Sequence, residues 1–429
     1  MSLVELTLEL ETPLLMGGHD PLKLDDVWFV RPSEIKGAWR WWARALVAGA
    51  LYDAGELRGT SRRGILRAPS PNEAARISRI VGVEMGLGYA DPRGGESKVS
   101  DYVIVVEPQV EVAKFRRPIR EIREVAGLQR ISLLTRARRG ERRELECLAP
   151  GARFTLKVEE RVRSRPLEPE AVESALSALS LALTLSGFGK ASRRGLGCFR
   201  VVASKSDYAK DYAKLFDPRT PVAERLKRAI EAVRNLLKVE VVEGYARELP
   251  PLPSISAKKL AMDYKVGGRH LSLFQVLEVR LGAKRAGESA LNQLLRSLHN
   301  FFLRSERARR LYGDHRAQDD LRRELCAWIL GLPRKGGTET GYDIVVEGVD
   351  RRASPFFLAV HGGREAALAY LSAFVSADWP QELEWRGGFE GGQPVEVDEE
   401  EIVRAMAIAL NEFVEYAERS NLRVSFSWP

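Results

Sequence analysis

The stretch from Pro169 to Val202 constrains the fold most. An Ala- and Leu-rich helical run to Ser186 leads into Gly187-Phe-Gly-Lys-Ala-Ser-Arg-Arg-Gly-Leu-Gly197 and then into a short strand, Cys198-Phe-Arg-Val-Val202. A helix that passes through four glycines and three cations into a strand can present backbone N–H groups and positive side chains to an anion. The order of elements excludes the common nucleotide loops. A dinucleotide fingerprint needs strand, glycines, then helix, and Ser192 stands at its third glycine position. A Walker loop needs Gly-Lys-Ser/Thr opening a helix, and Gly189-Lys190-Ala191 does not supply it. The loop is therefore expected to lie along a nucleic-acid backbone. The amides of Gly187, Gly189, Gly195 and Gly197 and the side chains of Lys190, Ser192, Arg193 and Arg194 would make the contacts, with the arginines exposed.

The pattern before the loop completes a unit. Leu3 to Glu11 alternates as a strand, Ser33 is expected to cap a helix over Glu34–Leu51, and Tyr102–Glu107 and Arg153–Val158 read as strands. With the helix at Pro169 and the strand at Cys198 this gives βαββαβ, an α+β unit of the ferredoxin-like, RRM-like kind. Residues 86–95, 111–150 and 205–220 do not fit the sheet and read as inserted loops and a linker. Further on, helical periodicity at Ala290–Leu311 and Glu400–Ala417 alternates with strand patterns at Pro355–His361 and Leu422–Ser427. The expected architecture is two such domains, residues 1–205 and an elaborated copy over 206–429.

Among the 429 residues, 67 Lys and Arg face 59 Asp and Glu. The small excess matters because it is clustered: Lys114 to Arg165 contains Arg116, Arg117, Arg120, Arg123, Arg130, Arg136, Arg138, Arg139, Arg142 and Arg143 with few acids between them. Arginine suits planar phosphate recognition, so Arg116 and Arg117 join the candidate contacts. Cys147, Cys198 and Cys326 show no zinc spacing or disulfide framework, no apolar run is long enough to span a bilayer, and the chain reads as intracellular with no cofactor.

The first helix carries the sharpest assignment. On a wheel of about 100° per residue, Lys36, Arg40 and Arg44 fall within about 40° of one line, and Ile35, Ala38, Trp42, Ala45, Leu46 and Gly49 fall opposite. Trp39 lies at the edge of the apolar face. Trp41 stands beside the cations, where it either stacks on a base or is a partly buried aromatic.

Together, Thr12-Pro-Leu-Leu-Met-Gly-Gly18, Ile35-Lys-Gly-Ala-Trp-Arg-Trp-Trp-Ala-Arg-Ala-Leu46, the glycine loop, Gly331-Leu-Pro-Arg334 and Arg351-Arg-Ala-Ser-Pro-Phe-Phe-Leu-Ala-Val-His361 resemble one family. It is the family of first subunits of the Cmr complex, RAMP-superfamily proteins of the type III-B CRISPR RNA-guided effector. The resemblance implies two ferredoxin-like domains that bind guide RNA and single-stranded target RNA and cap the filament near the 3′ region of the guide. Cleavage of target belongs to neighbouring subunits. It also implies RNA contacts at Lys36, Arg40, Arg44, Lys190, Arg193 and Arg194. Glu34 and Met16 depart from the family pattern, which more often has a small polar residue and a Thr there.

The rival reading is a metal-independent endoribonuclease of the same superfamily. It needs a proton-transfer group near a 2′-hydroxyl, and His19 in the Gly-Gly turn is the best candidate. Asp314, His315, Asp319 and Asp320 read as a charged helix start rather than a metal cluster, and His361 as structural. A scaffold binding acidic proteins is the third reading. The balance of residues favours binding over catalysis.

Overall fold

The computed structural model describes residues 2–429 apart from 26–27, 91–94, 96, 110, 123–124, 126–127, 129–130, 132–133, 135–143, 163–165, 209–210, 243, 283–288, 304–321, 336–339, 363–366 and 388–391. The first half supplies β1 (Ser2–Leu10), α1 (Pro32–Asp53), β2 (Tyr102–Pro108), β3 (Arg153–Glu160), α2 (Pro169–Leu185) and β4 (Phe199–Lys205). Its antiparallel sheet runs β4-β1-β3-β2. Alternation along β1 and β3 fixes the register: Leu6, Leu8, Leu10, Phe154, Leu156 and Val158 are buried under the helices. The opposite face carries Glu5, Thr7, Glu9, Arg153, Thr155, Lys157 and Arg200. Cross-strand ion pairs tie it together, Glu9 to Arg153 at 2.6 Å and to Arg200 at 2.9 Å.

The second half repeats the order with β5 (Phe274–Leu281), α4 (Ala290–Leu303), β6 (Phe356–His361), β7 (Leu368–Phe374), α5 (Glu399–Arg419) and β8 (Leu422–Trp428). This sheet runs β6-β7-β5-β8, all antiparallel. Here β6 is apolar without alternation because both of its faces are covered. Phe356, Leu358 and Val360 pack with the core that holds α4 and α5, whereas Phe357, with Phe374 of β7 and Val276 of β5, packs with the core that holds α1 and α2. The layers are thus sheet, helices, sheet, helices, with the second sheet as the joint.

The segment read as a linker is not loose. Tyr212, Leu215 and Phe216 are buried against α2, and α3 (Val222–Leu237) packs on α2 and α1. Buried Arg225 donates to Ser180 Oγ at 2.8 Å and to the Leu215 carbonyl at 3.0 Å, which ties α3 to α2 and to the turn before it. Other expected elements stand, with ends shifted by a few residues; α4 is described to Leu303, and the remainder of that expectation lies outside the described residues.

Candidate nucleic-acid interface

Helix α1 begins at Pro32, with Arg31 as an N-cap that makes no side-chain cap bond. This corrects the expectation of a Ser33 cap: proline tolerates the first helical position, so the helix starts two residues earlier. Its inward face is the one the wheel assigns. Ile35, Trp39, Trp42, Ala45, Leu46 and Gly49 are buried, and Ala38 is partly so. Trp39 Nε1 donates to the Ala175 carbonyl at 2.5 Å and Trp42 Nε1 to Ser186 Oγ at 3.2 Å. At Gly49 a side chain would lie 1.9 Å from the Ile255 carbonyl oxygen, where a crossing irregular segment donates Ile255 N–H to the Ala45 carbonyl.

The cation stripe faces outward as a graded surface. Arg44 is exposed, and Lys36 and Arg40 are partly buried. Arg40 is oriented by carbonyls, its Nε 2.9 Å from Leu87 O and its Nη2 3.1 Å from Gly88 O. Burial and Arg44 lower its pKa from the ordinary value, and burial with Arg40 and Arg161 brings Lys36 down to about 8. Trp41 sits mostly within an aromatic cluster. Its ring centre is 4.5 Å from Phe357 and 5.3 Å from Phe374, across the joint between the halves.

The glycine loop is a knot rather than an open cradle. Side chains at Gly187 and Gly197 would lie 2.0 and 2.1 Å from the Leu196 and Phe188 carbonyl oxygens, so only glycine lets the two limbs close. Three of the four glycine amides are already engaged: Gly187 donates to Ser192 O, Gly197 to Pro13 O, and Gly189 to Glu34 Oε1 at 3.1 Å. That corrects the expectation of free amides. Arg193 and Arg194 are corrected likewise, because their guanidiniums turn into the joint instead of solvent. Arg193 donates to Ser354 O at 2.6 Å and lies 4.3 Å over the Phe357 ring. Arg194 donates to Leu330 O at 3.1 Å and lies 4.3 Å over Phe302. Burial, reinforced by Arg352 and opposed by Asp378, brings Arg193 down to about 10. The loop packs its arginines on β6 because that sheet is the partner it must clasp.

Between the N-terminal turn of α1, the loop and Phe357 lies a cleft of about 230 Å³, lined by Ser33, Glu34, Trp41, Ser192 and Arg193 among others. Lys190 stands to one side, its Nζ on the Pro21 carbonyl. Arg116 and Arg117 stand on a separate ribbon of Arg116–Pro118 against Glu146–Leu148, Arg116 paired with Glu146 at 2.7 Å and Arg117 exposed. The sequence therefore brings together α1 and the loop, and leaves the ribbon apart. Seven further arginines of that cluster, at 123, 130, 136, 138, 139, 142 and 143, lie outside the described residues, as do Asp314, His315, Asp319 and Asp320. His19 is exposed, and His361 is wedged between Thr184 O at 2.8 Å and Glu11 at 3.6 Å. Cys147, Cys198 and Cys326 are buried free thiols. Among the described residues no group of His, Cys, Asp and Glu is placed to hold a metal ion, and no helix is long and apolar enough to cross a membrane. Glu34, Phe357 and Arg161 are the members of this region that sequence reasoning missed as site residues; nothing in their local spacing signals the contacts they make.

Residues 7–200, which take in α1, α2, the loop and most of the first sheet up to the start of β4, match the family described as the RAMP superfamily. Solved structures extend the likeness over the whole chain. Cmr1 from Pyrococcus furiosus in its apo form is similar at a TM-score of 0.53 and 19% identity, over 100% of this chain and 99% of that one. Two cryo-EM structures of the type III-B Cmr-beta complex are similar as well. One, bound to cognate target RNA, gives a TM-score of 0.52 at 13% identity, over 97% of this chain and 99% of the matched one. The other, bound to cognate target RNA and AMPPnP in the presence of ssDNA, gives 0.50 at 14% with the same coverage. No curated protein matches the sequence. The chain has the fold of Cmr1, and the resemblance drawn from its motifs to first subunits of Cmr complexes holds.

Proposed function

We propose that this chain is an RNA-binding subunit of a type III-B RNA-guided effector in antiviral defence. It caps the assembly near the 3′ region of the guide, contacts guide and single-stranded target RNA, docks on neighbouring RAMP subunits, and works in the cytoplasm without a cofactor. In this reading it comprises two ferredoxin-like RAMP domains, residues 1–205 and 206–429. The division is supported by the strand order fourth, first, third, second in each sheet, numbered within its half.

The observation that carries the reading is the stripe Lys36, Arg40 and Arg44 on α1, held beside the cleft in a fold shared end to end with Cmr1. The open face of the first sheet is a poor rival surface. RRM-type recognition stacks bases on sheet aromatics, and the described outward side chains of β1 to β4 include none. The chain binds rather than cuts in this account. His19 makes no hydrogen bond or ion pair among the described residues, so nothing there orients it as a base.

Filter binding of the purified chain to single-stranded RNA across a salt series tests this. Affinity should fall with a log-log slope of roughly −0.7 per phosphate neutralised, with little sequence preference and intact RNA on a gel. Salt-insensitive or sequence-confined binding would refute it, and cleavage abolished by His19→Ala would favour the endoribonuclease.

A further inference from the structure

We infer that Arg161 joins Lys36 and Arg40 in a phosphate-binding subsite between α1 and the adjoining segments 86–88 and 100–101, a step on the path of RNA along α1. The inference rests on the RNA-binding reading above. It starts from where two guanidiniums are anchored. Arg40, from α1, grips Leu87 O and Gly88 O. Arg161, just beyond β3, donates Nε to Ser100 O at 3.1 Å and its backbone N–H to Asp101 O at 2.7 Å. These carbonyls belong to two segments, 86–88 and 100–101, which touch: Asp101 N–H donates to Gly86 O at 2.8 Å, and a side chain at Gly88 would meet the Ser100 amide nitrogen at 2.9 Å. Lys36 lies one helical turn before Arg40 on the same face of α1.

Anchoring by carbonyls orients a guanidinium without neutralising it. Among the described residues Lys36, Arg40 and Arg161 have no carboxylate partner, and Arg161 is exposed with both terminal nitrogens free. Several cations elsewhere on the first half are instead paired with acids, as Arg116 is with Glu146, Arg200 with Glu11 and Lys157 with Glu107. Nearby acids are engaged elsewhere: Glu34 by the Gly189 amide at 3.1 Å, Asp101 by Lys98 at 3.1 Å, Glu160 by the Leu167 amide and the Tyr208 hydroxyl. Three like charges held together carry a repulsion that an anion relieves. Burial lowers Lys36 first, and the cations Arg40 and Arg161 lower it further. A preset fork, a second donor and an ammonium match the oxygens of one phosphate group. The site opens at Arg161 and continues along α1 to exposed Arg44, which fits a backbone phosphate better than an enclosed free ion.

The test uses the full chain and a labelled oligouridylate, read by fluorescence anisotropy across salt and pH. Arg161→Ala and Lys36→Ala should each weaken binding roughly three- to tenfold and flatten the salt slope by about 0.7, the double variant losing no more slope than either single one because they share a phosphate. Wild-type affinity should fall as pH rises through about 8, where Lys36 deprotonates. Lys36→Arg should abolish that fall. Arg161→Gln, which keeps a donor near Ser100 but no charge, should match Arg161→Ala; if it instead restores wild-type binding, or if Arg161→Ala leaves affinity and slope unchanged, the subsite is refuted. Should the wild type not bind RNA at all, the broader reading fails and inorganic phosphate decides the subsite separately. A thermal upshift with phosphate that disappears in Arg161→Ala sustains an anion site, and no upshift overturns it.

Discussion

Replacing Arg193 and Arg194 together by alanine should loosen the joint between the two halves. Arg193 loses its 2.6 Å bond to Ser354 O and its position 4.3 Å over Phe357; Arg194 loses Leu330 O at 3.1 Å and Phe302 at 4.3 Å. A hydrogen bond from a charged group contributes about 1.5 to 3 kcal/mol and a desolvated cation–π contact about 1 to 2, so the two sites hold about 5 to 10 kcal/mol of gross attraction. Burial works against this. The fall of Arg193 to about 10 corresponds to about 3 kcal/mol disfavouring its charged form. The net loss for the double variant is then about 2 to 7 kcal/mol, larger than exposed charges would produce. Urea denaturation followed by tryptophan fluorescence measures it, and hydrogen exchange along β6 should show the joint opening. An unchanged midpoint combined with weakened RNA binding would refute the placement of these arginines.

Trp42→Ala should cost about 3 to 5 kcal/mol by emptying a fully buried site, measured by the same denaturation. Glu11 is buried, which acts upward, yet His361, the Gly362 amide and Arg200 hold its carboxyl below the usual range. A carboxylate so lowered contributes stability above about pH 4.3 that disappears as pH falls through its folded value, so melting temperature should drop in that window and Glu11→Gln should flatten the drop. Glu34→Ala frees the Gly189 amide and removes a negative charge from the cleft, so RNA affinity in a binding assay should rise; a fall would show that Glu34 supports the loop rather than competing with phosphate.

Much of this architecture was legible because its signals are local. Alternation along Leu3–Leu10 and Arg153–Val158, and the 3.6-residue period of α1 and α5, follow from which faces are buried. β5 and β7 escaped notice because central strands of a sheet covered on both sides lose their alternation, as in Phe274-Gln-Val-Leu277. Helix α3 was within reach, since Val222, Leu226, Ala229, Ile230 and Val233 keep helical spacing, but its charged surroundings read as linker. The site was legible only in part. Lys36, Arg40 and Arg44 share a face by helix geometry alone. The inward turn of Arg193 and Arg194 depends on a sheet about 160 residues further along the chain, and the nearness of Arg161 to Arg40 on the segments 86–88 and 100–101, which contain neither, so no local pattern announces them.

Photo-crosslinking tests the placement of the RNA surface most directly. A single-stranded RNA carrying 4-thiouridine, bound to the full chain at low salt and irradiated, should crosslink to peptides from α1 and from the segment around Arg161, with Trp41 as the nearest aromatic at the cleft rim. Crosslinks confined to the open face of the first sheet, or to the outer surface of α5, would contradict the account.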